Sequence, residues 1–123
     1  MTKQGFLIGL VEHGHTDGRR SIYEFNGPDF SVQELVIFEK KPLGNHYHRE
    51  RKETFYIARG SGKVYLKKPG NHPLHEEAVV EGSVIHVEPG TAHAFVLLPR
   101  STMICVASTP FDAKDVFNCV LVP

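Results

Sequence analysis

The chain has no tryptophan, two cysteines, two methionines and no net charge, with 14 basic and 14 acidic residues among 123. Each shortage excludes something. Without a basic excess there is no electrostatic footprint for nucleic acid, and none is expected as a partner. Two cysteines do not make a disulfide scaffold, and at this length a hydrophobic core forms without staples. Cys105 and Cys119 both lie in apolar sequence and are expected to be thiols. The longest apolar opening run, residues 6–11, is interrupted by Gly9 and is far too short to span a bilayer. No basic start, long apolar stretch and small-residue cleavage site assemble into a signal peptide, so no membrane is expected and the cytoplasm is the expected compartment. Long helical periodicity is also missing. With 41% hydrophobic and 23% charged residues the composition is that of a globular protein, and the length fits one domain, residues 1–123.

What is present is a succession of short apolar runs separated by Gly/Pro turns at a spacing of roughly ten residues, which indicates an all-β barrel or double sheet. Expected strands cover residues 5–12, 21–25, 32–39, 54–58, 63–67, 78–80, 83–87, 93–98 and 103–108. A polar loop over 13–20 turns at Asp17-Gly18, and a surface loop covers 68–76. The run Leu35-Val36-Ile37-Phe38 is continuous enough to be covered on both faces. In the tail, a short helical turn is expected at 113–116.

The chain also holds eight histidines, several times the usual share. His46 and His48 stand two apart, and on a strand they face one way while Tyr47 faces the other. Arg49, Arg51 and Lys52 read as a solvated turn, with contact to a substrate phosphate as the alternative. A hairpin there would return Glu53 beside the histidine pair, with Phe55 and Ile57 inward and Thr54 and Tyr56 on the opposite face. A Pro89-Gly90 turn delivers His93 to another apolar run. Three imidazoles and a carboxylate suit a divalent ion such as Zn, Fe, Ni, Mn or Cu. Glu50 competes with Glu53 for the carboxylate place. Phenols at Tyr47, Tyr56 and Tyr65 are expected to pack with their hydroxyls at an edge. His86 is expected to be a core or surface histidine; a place beside the substrate is the alternative. No role is expected for His13, His15, His72 and His75.

These two stretches resemble the cupin motifs. His46, His48, Glu53 and Gly60 match the first motif, with Lys40 where its leading Gly stands and Gly44 nearby. Gly82, Gly90 and His93 match the second, with Glu88 in place of its Pro and Leu97 in place of its Asn. The match runs from Gly44 to Leu97, a little under half the chain. It implies a jelly roll of two antiparallel sheets, with His46, His48, Glu53 and His93 as metal ligands and a homodimer paired through outer strands. The strings Gly44-Asn45-His46-Tyr47-His48 and Ser108-Thr109-Pro110-Phe111-Asp112 are similar to small sugar-nucleotide epimerase and isomerase cupins of polysaccharide synthesis. That likeness implies a sugar or nucleotide-sugar substrate and proton transfer next to a carbonyl, with His46, His48 and His93 as working residues. The same ligands serve an oxygen-activating cupin, and a non-enzymatic carbohydrate-binding cupin is a third expectation.

Overall fold

The computed structural model describes residues 4–11 and 13–123. Among them are eleven strands: β1 (His13–Thr16), β2 (Arg20–Asn26), β3 (Ser31–Ile37), β4 (Pro42–Tyr47), β5 (Glu53–Arg59), β6 (Ser61–Lys67), β7 (His75–Val80), β8 (Val84–Val87), β9 (Ala92–Leu97), β10 (Thr102–Ala107) and β11 (Phe117–Asn118). A short 3-10 turn, Ala113–Asp115, is capped by the Asp112 side chain, which accepts from the Lys114 amide.

The strands form two antiparallel sheets. One runs β1-β2-β3-β10-β5-β8 and the other β11-β4-β9-β6-β7. From β3 to β6 the chain changes sheet at every connection, and it does so again from β8 to β10. Strands consecutive in sequence therefore face each other across the core, which is the jelly-roll arrangement.

Period-2 alternation decides what enters that core. On β5, Glu53, Phe55 and Ile57 are buried, while Thr54 is half-buried and Tyr56 exposed, as expected from the sequence. Leu35 and Ile37 from β3, Leu43 from β4, Val64 from β6, Val79 from β7, Val87 from β8, Phe95 and Leu97 from β9, and Met103 and Cys105 from β10 join Phe55 and Ile57 in the apolar cluster. The β3 run is not covered on both faces. Glu34 and Phe38 are exposed and Val36 is only half-buried, because they alternate with Leu35 and Ile37 and so face away from the core.

Three further expectations change. Residues 6–11 form no strand. They are exposed, and the first strand begins at His13, inside the expected loop; Glu12 lies outside the described residues. A strand needs a neighbour to satisfy its backbone, and the edge position on this sheet is taken by β1. The turn at Asp17-Gly18 holds, but it joins β1 to β2, with Asp17 Oδ1 accepting from the amides of Arg19 and Arg20. His75 opens β7, which shortens the expected surface loop.

The β5–β6 turn rests on Gly60, whose φ is +90°; a Cβ there would lie 2.1 Å from Ser101 Oγ and 2.7 Å from Ser101 Cα. Both the left-handed backbone and the collision count against any side chain. Gly60→Ala is expected to lower unfolding stability by about 1–3 kcal/mol, read as a shift of the urea midpoint.

Candidate metal centre

Four elements supply the site. β4 carries His46, the corner after it carries His48, β9 carries His93, and β5 opens with Glu53. β4 and β9 pair in register with a bulge after Gly44, which sets His46 opposite His93. Gly44 (φ +90°) and Asn45 (φ +56°) make the bulge, and a Cβ on Gly44 would sit 2.9 Å from the His93 carbonyl oxygen. The Asn45 side chain then ties down the C-terminal tail. Its Oδ1 accepts from the amides of Leu121 and Val122, and its Nδ2 donates to the Val122 carbonyl.

Glu53 does not return by a hairpin. β4 and β5 belong to different sheets, so residues 48–52 turn a corner between them and Glu53 meets the histidines across the interior. The Asp115 carboxylate holds that corner by accepting from the amides of Arg49 and Glu50. The Ser108 hydroxyl accepts from the Lys52 amide. Nor is the corner wholly solvated. Arg51 is buried, with Nε 3.3 Å from Glu53 Oε2, and neither its Nε nor its Nη1 has a hydrogen-bond partner. Arg51 precedes β5, on the corner, so strand alternation did not reveal its burial. Glu50 is exposed, so it does not replace Glu53.

The nitrogen atoms of His46, His48 and His93 available to an ion lie within 4.8 Å of one another. Their tautomers follow from hydrogen bonding. His48 Nδ1 is 2.6 Å from the Asp115 carbonyl oxygen and His93 Nδ1 is 3.2 Å from that of Thr91. A carbonyl only accepts, so each Nδ1 donates, and each neutral ring presents a bare lone pair at Nε2. Both Nε2 atoms lie 3.2 Å from Glu53 Oε1, itself buried and without a hydrogen-bond partner. Three potential ligand atoms thus converge, and a proton or a cation between them would answer the Glu53 charge. The donor set fits a divalent cation held by imidazole and carboxylate, with backbone carbonyls orienting the rings behind it.

Electrostatics keep His46 neutral but favour a proton on His48 while no ion is bound. Burial, reinforced by the neighbouring His93 and His48, lowers His46 from 6.5 to about 4, so it is neutral at pH 7. Burial also works against a charged His48, but its contact with Glu53, aided by the Asp115 carbonyl, prevails and raises it. Burial would raise Glu53, yet contact with His48 and His93 holds its carboxyl well below the usual range. Cys105, whose Sγ lies 3.5 Å from Glu53 Oε2, is a free thiol pushed up by burial; Cys119 is also free.

His46, Glu53 and His93 line a cavity of about 480 Å3, whose apolar walls include Leu43, Phe55, Phe95 and Met103. Arg19, Arg20 and Gln33 also face it, which sequence reasoning missed. Tyr47 stacks on Phe117, ring centroids 5.2 Å apart, and Tyr56 is exposed. His86 is at the surface, its Nδ1 3.0 Å from Thr54 Oγ1. It shares a groove with His72 and His75, but among the described residues no second group of three ligating side chains comes together.

No family model matches the chain. It is 27% identical over 109 residues to L-ectoine synthase of Wolinella succinogenes, covering 89% of this chain and 79% of that one. It is 24% identical over 86 residues to an uncharacterized protein of Aquifex aeolicus, covering 69% of this chain and 66% of that protein, just under two thirds. Among solved structures, CapF, a capsular polysaccharide assembling protein from Staphylococcus aureus, superposes with a TM-score of 0.78 at 22% identity over 98% of this chain. A single-residue variant of oxalate decarboxylase from Bacillus subtilis gives 0.76 at 17% identity over 86%. The chain spans about a third of each solved chain, 34% and 30%, and these likenesses show the fold.

His93→Ala is expected to weaken zinc binding at least about tenfold while leaving the β-sheet circular dichroism unchanged. Because an ion must displace the proton favoured on His48, zinc affinity should fall as pH drops from about 8 to 6, with proton release on binding read by calorimetry in two buffers. Metal-free protein should behave differently. The folded His46 titrates near about 4 and the unfolded one near 6.5, so the unfolded chain binds the extra proton between them. Its contribution is present above 6.5 and lost as pH falls towards about 4. Glu53 acts in the same sense at lower pH, and His48 opposes both. Urea midpoints across that window check the sign.

Proposed function

We propose that this chain, a cupin in fold and in both motifs, holds one divalent metal ion through His46, His48, Glu53 and His93 and acts as a sugar or nucleotide-sugar isomerase or epimerase. The observation that carries the metal reading is the convergence of two tautomer-set Nε2 lone pairs on the unpartnered, buried Glu53 Oε1. Support for the carbohydrate assignment is the likeness to CapF, described as a capsular polysaccharide assembling protein, together with the motif strings quoted above. The relation to L-ectoine synthase favours an enzyme over a binding module.

A bound divalent ion would supply a Lewis acid beside a substrate carbonyl. The chain's own residues do the rest. Leu43, Phe55, Phe95 and Met103 give the cavity apolar walls beside the site. The Asp115 and Thr91 carbonyls keep the His48 and His93 rings aimed inward. His46, kept neutral by burial, has one ring lone pair, which it offers to the ion or, without an ion, to a proton on the carbon next to that carbonyl.

The chain is further proposed to be cytoplasmic and homodimeric. No helix among the described residues is long and apolar enough to cross a membrane. The outer face of the six-stranded sheet exposes Tyr23, Phe25, Val106, Tyr56 and Val84, which the strand registers place side by side, and a second copy would cover them. Light scattering at micromolar concentration should give twice the monomer mass; a monomer would remove the dimer.

Elemental analysis of protein purified without a chelating tag, beside His93→Ala, tests the metal reading. Near-stoichiometric zinc or manganese, lost in the variant, is the expected result. Turnover of keto sugars that needs the ion then tests the activity. Iron, nickel or copper with oxygen uptake would replace the isomerase by an oxygen-activating enzyme. Sugar binding without turnover would leave a binding protein.

A further inference from the structure

Arg20 lies on β2, where it pairs with Ile37 and, by alternation, shares a face with Ile22 and Glu24. Its backbone is fixed on both sides, since the Arg20 amide donates to Asp17 Oδ1 at 3.1 Å and its carbonyl accepts from the Asp17 amide at 3.0 Å. Its guanidinium has no comparable anchor. Nε is buried without a hydrogen-bond partner, and among the described residues no carboxylate lies within ion-pair distance of this side chain. The acids that might answer it are engaged elsewhere. Asp17 Oδ2 lies 3.0 Å from His15 and 3.4 Å from Arg19, and Glu24 accepts from Gln33 at 2.8 Å. Glu53 faces Arg51, His48 and His93. Burial, with the like charge of Arg19 beside it, outweighs the more distant charge of Asp17 and lowers the proton affinity of Arg20.

Arg20 and the metal-site residues His46, Glu53 and His93 line one cavity. An unanswered, partly desolvated arginine is costly to the free protein, and its fork of donors matches a carboxylate or phosphate. We infer that Arg20, assisted by Arg19, forms an oxyanion subsite in the metal-site cavity, which therefore takes a small organic anion rather than a neutral sugar. The carboxylate or phosphate of that ligand lies on Arg20, and its oxygen-bearing carbon end faces His46 and His93. The inference rests on the proposed metal-centred reading and narrows it to acidic or phosphorylated substrates.

Calorimetric titration of the zinc-loaded protein at low ionic strength, with inorganic phosphate in one series and malonate in another, provides the test. At least one anion should bind. Arg20→Gln should weaken that binding roughly tenfold or more with zinc content unchanged, and Arg20→Lys, which keeps the charge but not the fork, should fall between. The Lys variant alone carries the comparison if the Gln variant does not fold. Preference for phosphate would assign phosphorylated substrates, and preference for malonate carboxylic acids. The same titrations after chelation separate the two readings. Arg20-dependent binding that survives without metal supports the subsite even if the protein takes up no ion. Binding that vanishes on chelation and is indifferent to Arg20→Gln places the anion on the metal and overturns the inference. So does the absence of binding by either anion.

Discussion

A carboxylate buried among apolar side chains must have its charge answered, and the interior of this protein is arranged around how Glu53 is answered. Arg51 approaches one oxygen, while His48 and His93 approach the other with their lone pairs. The first contact neutralises charge. The second does so only with a proton or a metal ion between the groups, because two acceptors do not attract each other. The low-dielectric surroundings of Phe55, Phe95 and Met103 sharpen that requirement. The same interior that stabilises the barrel thus creates demand for a cation at one point in it.

That point is available because the chain crosses between sheets at every step around it. β4 and β9 present histidines from one sheet, and β5 presents Glu53 from the other. The bulge at Gly44 and Asn45 then shifts β4 so that His46 meets His93. The tail matters here as well. Asp115 orients His48 with its carbonyl and holds the corner with its carboxylate, while Asn45 clamps the last residues. A segment distant in sequence therefore determines which nitrogen of His48 faces the cavity.

The two sides of the six-stranded sheet divide the remaining functions. Its inner face contributes Arg20, Leu35, Glu53 and Phe55 to the cavity, joining one unanswered cation to an apolar wall and a cation-seeking cluster. Its outer face carries exposed aromatic and aliphatic side chains in adjacent registers. Alternation along each strand lets one sheet serve both purposes, since neighbouring residues face different surroundings.

Spacing in the sequence was sufficient for the all-β class and the inward set Glu53, Phe55 and Ile57, because side-chain period and Gly/Pro turns are local properties, while the grouping of His93 with His46 and His48 came from the resemblance of two separated stretches to the cupin motifs. Tertiary structure decided the rest. A sequence cannot say that β4 and β5 lie in opposite sheets, so the expected hairpin became a corner. Nor can it say that residues 6–11 form no strand, since pairing depends on which edge is vacant. Arg51 and Arg20 looked solvated or unremarkable because charge is a property of the residue, whereas burial and the absence of a partner are properties of the fold. The ring nitrogens of His48 and His93 that face Glu53 were likewise assigned only by carbonyls that folding brings into place.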